Sequence, residues 1–188
     1  MFNNKKILII CFTYFLPGIA QANNTSADGY HHNTAEVSLS TGFFSKKKLA
    51  IQIRVPTHNA YEFEGKSSNS EQEAKVNTVT DSIKQNISQI ILLPPDAKCK
   101  YEVNDINQFD IGSEKYEETK KGERKIVKTS YWVLNVEADV FCNRSLLKEK
   151  ITVDLSKQFR NINKMVISLN ASKNRKFTLN KATGEFTL

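Results

Sequence analysis

Three segments of the chain alternate apolar and polar residues with a period of two. They are AEVSLS, LAIQIRV and YWVLNVEADVFC, which begin at Ala35, Leu49 and Tyr131. Because successive side chains of a β-strand point to opposite faces, each segment predicts a strand with one buried face and one exposed face. The first two are separated by a turn-rich stretch and predict a β-hairpin. With the strand-like segments CKYEVNDI, EKITVDL, KMVISLN and RKFTLNKATGEFTL, the sequence predicts a sheet of six to eight strands.

One segment, SEQEAKVNTVTDSIKQNISQII, has the period of a helix instead. Ser70 and Glu73 at its start have the spacing of a capping box. The segment predicts one continuous helix of about six turns, from about Ser70 to Ile91. The expected fold class is therefore α+β, with one antiparallel β-sheet of six to eight strands packed against one long α-helix. The helix residues expected to face the sheet are Val76, Val79, Ile83, Ile87 and Ile90.

The N-terminus has the pattern of a secretory signal peptide. Lys5 and Lys6 precede the apolar run ILIICFTYFL, which is shorter than the roughly 20 residues that span a bilayer, and AQA supplies small residues for cleavage after Ala22. We expect residues 1–22 to be removed and the remaining chain not to insert into a membrane. Residues 23–34 are expected to form a flexible tail, and 35–188 a single domain with an exposed charged insertion near 106–129.

Two cysteines, Cys99 and Cys142, remain after the expected cleavage. An even number of cysteines in an exported protein is typical of a disulfide, and each lies beside a strand-like segment. The alternative is a pair of metal thiolates, but no CxxC spacing or nearby histidine favours it. The sequence therefore predicts a disulfide between Cys99 and Cys142.

Charge and motif content exclude several functions. The 27 Lys and Arg against 20 Asp and Glu give a formal charge of +7, but the lysines are spread along the chain without an arginine cluster. Together with the export signal, this argues against a nucleic-acid partner. GxSxG, HExxH and P-loop motifs are absent from the sequence. We therefore do not expect an enzyme.

The three histidines of the chain flank the predicted hairpin. His31 and His32 precede its first strand and His58 follows its second, so the hairpin brings them to the same edge of the sheet. Glu62 and Glu64 follow on the same loop. Imidazole and carboxylate are the ligands of many zinc sites, and imidazole favours zinc over calcium or magnesium. The alternative is that these histidines are solvated surface residues, because the ends of any hairpin converge.

The order of several motifs resembles the ZrgA-like family, periplasmic proteins associated with zinc in Gram-negative bacteria. The resemblance covers most of the chain after the signal peptide and rests on YHHNTAEV, PTHNAYEFEGKSSNSEQ, LPPDAKC, VFC and MVISLN. It implies a periplasmic zinc-binding accessory protein that assists zinc acquisition or homeostasis. It also implies a partner, the substrate-binding protein of a zinc importer, to which the metal is handed.

The ligand positions of the family are only partly present. By position, its second N-terminal histidine falls on His32, its first on Tyr30, and the histidine of its F-E-H motif on Gly65. The histidine-rich insertion between its cysteine strands is here a segment without histidine, from Asp105 to Ser130. Two functions therefore remain open: a zinc-binding accessory protein, and a metal-free periplasmic protein-interaction module on the same scaffold.

Overall fold

A computed structural model describes residues 33–42, 46–118, 124–171 and 173–188. Its helices are α1 (Thr57–Tyr61) and α2 (Ser70–Ile90), with a 3-10 turn at Pro95–Ala97. Its strands are β1 (Thr34–Thr41), β2 (Lys48–Pro56), β3 (Ile91–Leu92), β4 (Lys100–Asp110), β5 (Ser113–Glu118), β6 (Arg124–Thr129), β7 (Trp132–Phe141), β8 (Lys150–Asp154), β9 (Lys164–Asn170), β10 (Asn174–Leu179) and β11 (Thr183–Thr187).

The strands form a large sheet, a small sheet and a separate hairpin. The large sheet has six strands in the order β10-β9-β1-β2-β7-β4, and the small sheet has three in the order β11-β8-β3. Strands β5 and β6 pair only with each other among the described residues. Strand β1 is antiparallel to β2, as the hairpin prediction requires, but it is parallel to β9. The large sheet is therefore mixed.

The predicted fold class is wrong. The protein is mostly β, with nine strands divided between two sheets, and it is not an α+β domain built from one antiparallel sheet on one long helix. The period of two locates a strand but does not identify its partner, because pairing depends on packing between distant parts of the chain. The sequence therefore did not indicate that β1 pairs with β9, or that β8 and β11 leave the large sheet.

The core lies between the inner face of the large sheet, the small sheet and α2. Along β2, buried apolar residues alternate with more exposed ones, as the period predicts. Helix α2 packs against β3, β4 and β8, so it contacts both sheets. Its Ile83, Ile87 and Ile90 are buried, while Val76 and Val79 are only partly buried at the margin of the core. The predicted apolar face of the helix is therefore the face that packs.

Helix α2 begins at Ser70, as predicted, but its capping residue differs from the prediction. Asn69, not Ser70, is the N-cap, and its side chain accepts a hydrogen bond from the backbone N–H of Gln72 at 2.9 Å. The Gln72 side chain in turn accepts from the backbone N–H of Ser68 at 2.8 Å. This reciprocal arrangement satisfies N–H groups that the first helical turn leaves without partners.

The predicted disulfide between Cys99 and Cys142 is confirmed, with the two Cα atoms 4.0 Å apart. It links the start of β4 to the end of β7, where the two strands are already paired. Nearby, the Arg144 guanidinium donates to both carboxylate oxygens of Asp96 at 2.8 Å. The bridge and this bidentate ion pair together fix the turn before β4 to the segment after β7.

Parts of several predicted segments lie outside the residues that the structure describes. Residues 1–32, which contain the predicted signal peptide and most of the predicted tail, lie outside the described residues. Strand β1 begins at Thr34, which is buried. In the charged stretch near 106–129, β4 continues to Asp110 and the β5–β6 hairpin follows. Within the described ranges, no helix combines the length and hydropathy needed to cross a membrane.

We predict that Ile83→Ala lowers the free energy of unfolding by about 2 to 5 kcal/mol, because it leaves a cavity among fully buried side chains. Lys84→Ala on the exposed side of the same helical turn is the matched control, and it should change stability by less than about 0.5 kcal/mol. Urea denaturation measures both. Equal effects of the two substitutions would show that this helix face is not part of the core.

We predict that the double substitution Cys99→Ala and Cys142→Ala destabilises the protein by about 2 to 4 kcal/mol. The bridge joins residues 43 apart in sequence, so its loss releases a long loop in the unfolded chain. The measurement is urea denaturation of both proteins without reductant. Thiol titration of the unfolded, unreduced wild type is the control, and reactive thiols at Cys99 and Cys142 would contradict the prediction.

Candidate metal centre

The loop after β2 folds back on itself. Pro56 ends the strand, and the single helical turn α1 follows from Thr57. Glu62 ends that turn in the left-handed conformation, with φ of 65°, and its N–H donates to the carbonyl oxygen of His58 at 3.0 Å. Gly65 also has a positive φ, of 83°. These two left-handed residues reverse the chain and return Glu64 to His58.

His58 and Glu64 form the centre of the candidate site. The Nδ1 atom of His58 lies 2.9 Å from Oε1 of Glu64, and Thr57 donates its hydroxyl to Oε2 of the same carboxylate at 3.3 Å. The backbone N–H of Gly65 donates to the Thr57 hydroxyl oxygen at 3.3 Å. The carboxylate is therefore oriented by a buried threonine rather than by solvent alone.

The two candidate ligand atoms are at hydrogen-bond distance. Nδ1 of His58 and Oε1 of Glu64 are 2.9 Å apart. With Zn–N and Zn–O bonds of about 2.0 to 2.2 Å in a tetrahedron, the nitrogen and the oxygen of two ligands lie about 3.3 Å apart. A zinc ion held by both atoms would therefore require them to move apart by a few tenths of an ångström.

The N-terminal end of β1 reaches the same place. The side-chain oxygen of Asn33 lies 3.4 Å from Nε2 of His58. His31 and His32 themselves lie outside the described residues. The structure thus places Asn33, which follows His32 in the sequence, beside His58, as the predicted hairpin requires.

Glu62 is directed away from this centre. Its Oε2 atom lies 3.8 Å from Nζ of Lys75, which is also 3.7 Å from Glu71 one turn earlier on α2. The Glu62 side chain is 66% exposed. Among the described residues, no three His, Cys, Asp or Glu side chains cluster closely enough to hold a metal ion. Of the candidate ligands, the described part of the chain brings together two, His58 and Glu64.

Solvent reaches the site from a groove of about 700 Å³ between α1, α2 and the segment around residues 158–161. His58, Lys75 and Arg160 line it together with polar residues of α2. The His58 and Glu64 side chains are 27% and 51% exposed. Both side chains are therefore accessible from solvent, His58 through this groove.

A partly buried phenol lies near the carboxylate. Burial and, to a smaller extent, the negative charge of Glu64 raise the pKa of Tyr131 to about 12. Tyr131 therefore stays neutral at physiological pH and adds no negative charge of its own.

Two asparagines of the site were not predicted. Asn33 and Asn59 hydrogen-bond to each other, and Asn33 also contacts the His58 ring. Asn59 stands in the PTHNAYEFEG motif of the resemblance, and this was the only signal in the sequence that it had a role. The position of the family histidine in F-E-H is Gly65 here, and its positive φ is a conformation that side-chain-bearing residues rarely adopt.

The sequence of residues 30–188 matches the model of the family described as ZrgA family zinc uptake protein. A search among curated proteins found no match. The match extends from the residue before His31 to the C-terminus, and so it includes the candidate metal centre, both cysteines and both sheets. This chain belongs to the ZrgA family of zinc uptake proteins.

Proposed function

We propose that the protein is a periplasmic accessory protein that binds zinc and hands it to the substrate-binding protein of a zinc importer. The observation that carries the proposal is the contact of 2.9 Å between His58 and Glu64 beside the N-terminal end of β1. His58 and Glu64 are the proposed ligands, and His31 or His32 is proposed as a third. The proposed role is binding and transfer, without catalysis.

The exposure of the proposed ligands supports transfer. A structural zinc ion is enclosed by four protein ligands, whereas three or fewer leave a coordination position open. Here the two described ligands border an open groove, and one of them is half exposed. A receiving protein can supply its own ligand at the open position before the ion leaves His58, so the ion need not pass through water.

The composition of the site supports zinc as the cargo rather than calcium or magnesium. Calcium and magnesium prefer oxygen ligands only, and calcium takes six to eight of them. The described centre offers one imidazole nitrogen and one carboxylate, and the proposed third ligand is another imidazole. Membership of a zinc uptake family is consistent with this preference.

We predict that His58→Gln and Glu64→Gln each weaken zinc binding at least about tenfold, because each removes a proposed ligand. Isothermal titration of untagged protein at pH 7.5 measures the affinity. Glu62→Gln is the matched control. It removes a neighbouring carboxylate that contacts Lys75 instead, and it should leave zinc affinity within about twofold of wild type.

The same titrations identify the third ligand and test the alternative. Of His31→Gln and His32→Gln, one should weaken zinc binding and the other should not. If the wild type binds no zinc, or if His58→Gln binds it as tightly as wild type, the proposed site does not exist. The metal-free interaction module on this scaffold would then be the function to pursue.

A further inference from the structure

We propose that Trp132 is a positioning residue that holds the loop of residues 62–69 against the large sheet, so that the carboxylate of Glu64 stays at His58. The inference rests on the proposed zinc function of this site, and it adds the residue that keeps one of the two described ligands in place. Trp132 acts through Gly65 and Lys66, the two residues that follow Glu64 in the loop.

The residue before Glu64 is anchored by an aromatic stack. The rings of Tyr61 and Phe63 have their centroids 5.6 Å apart, and their planes differ by 23°. Tyr61 is buried in the core, and Phe63 packs against the same core. This contact fixes the loop on the N-terminal side of Glu64.

The two residues after Glu64 lie against the indole of Trp132. A Cβ atom built on Gly65 would lie 3.9 Å from Cδ1 and 4.0 Å from Nε1 of Trp132, so the main chain of Gly65 passes beside the pyrrole edge of the indole. The Nζ atom of Lys66 lies 5.6 Å from the ring centroid of Trp132, within the range of a cation–π interaction. Trp132 thus holds the loop on the C-terminal side of Glu64.

Two hydrogen bonds connect this contact to the carboxylate. The backbone N–H of Gly65 donates to the hydroxyl oxygen of Thr57, and that hydroxyl donates to Oε2 of Glu64, both at 3.3 Å. Thr57 is fully buried, so its position is set by the core. Both bonds are longer than usual and therefore hold the loop only weakly by themselves. A Gly65 that moved away from the indole would lose the first bond and release the carboxylate from its orientation.

The support for Trp132 comes from outside the loop. Trp132 is the first residue of β7 and pairs with Asp110 of β4. The Asp110 carboxylate accepts from the hydroxyl of Ser130 and from the backbone N–H of Tyr131, and the Tyr131 carbonyl oxygen accepts from the N–H of Ile111 at 2.8 Å. The start of β7 is therefore fixed to the end of β4, and Trp132 offers the loop a fixed surface.

The charge of Lys66 makes the proposal testable by the sign of an effect. Lys66 carries a positive charge two residues from a proposed ligand of a cation. Because like charges repel, removal of this charge would tighten zinc binding if charge were the only role of the lysine. If the lysine instead holds the loop on Trp132, its removal weakens zinc binding.

The first test uses trypsin on the untagged protein without metal. Trypsin must take a lysine side chain into its own specificity pocket, so the contact of Lys66 with Trp132 protects the peptide bond that follows Lys66. Trp132→Leu should speed cleavage there about two- to fivefold, as the loss of an exposed cation–π contact implies. Cleavage after the exposed Lys181, between β10 and β11, is the internal reference and should not change. In folded Trp132→Leu, an unchanged rate after Lys66 or equal acceleration at both bonds would overturn the proposal.

The second test is isothermal titration with zinc, and it decides the matter if Trp132→Leu does not fold. Lys66 is exposed, so its substitution should not affect folding. Lys66→Gln should weaken zinc binding about two- to fivefold, and Lys66→Arg should restore it because a guanidinium also stacks on an aromatic face. Lys84→Gln removes the same charge from the exposed side of α2 and should leave the affinity unchanged. Equal or tighter zinc binding by Lys66→Gln would overturn the positioning role.

The two tests together distinguish failure of this inference from failure of the proposed function. Faster cleavage after Lys66 in Trp132→Leu, together with weaker zinc binding by Lys66→Gln, supports both. If the wild type binds zinc and Lys66→Gln binds it as tightly, the zinc function stands and this inference is wrong. If the wild type binds no zinc but Trp132→Leu is cut faster only after Lys66, Trp132 holds the loop and the proposed zinc function fails.

Discussion

The parallel pairing of β1 with β9 places the first described strand in the interior of the large sheet. With β2 on its other side, β1 has both edges hydrogen-bonded, and its apolar side chains are enclosed by the core. The pairing also fixes the start of the strand, because two N–H groups at the beginning of β9 donate to Asn33. The position of Asn33 beside His58, and with it the candidate metal centre, depends on this register.

Local features of the sequence predicted local features of the structure. The alternation around Ile51 and Ile53 predicted β2, and the recurrence of Ile83, Ile87 and Ile90 predicted the buried face of α2. These succeeded because each pattern depends only on the geometry of its own element. The pairing of Cys99 with Cys142 was also predictable, because each cysteine lies beside a strand-like segment and the expected cleavage leaves these two alone.

The overall architecture was not predictable in the same way. Nothing near Lys164 indicates that β9 pairs with β1, and nothing near Ile151 indicates that β8 belongs to a second sheet. Strand partners are chosen by the packing of the whole core, so the single antiparallel sheet was the simplest arrangement but not the correct one. At the N-cap, the neighbouring residues Asn69 and Ser70 are both good caps, and the sequence alone did not discriminate between them.

For the candidate site too, the local features could be predicted from the sequence and the long-range contacts could not. The sequence predicted that His58, Glu62 and Glu64 lie in one loop. It did not predict which of the two glutamates contacts His58. That difference depends on the two positive φ values of the loop, which turn one carboxylate toward the ring and leave the other near Lys75. Asn33 and Asn59 were missed as a pair because their contact joins residues 26 apart in sequence and requires the register of β1.

The direct continuation of α2 into β3 has a mechanical consequence for the groove. The C-cap of the helix, Ile91, is already the first residue of the strand, so no linker between them can act as a hinge. The helix that forms one wall of the groove is thereby fixed to the small sheet. Any adjustment of the groove to an arriving ion or partner is therefore expected in the two segments on its border that have neither helix nor strand, residues 62–69 and the turn around residues 158–161.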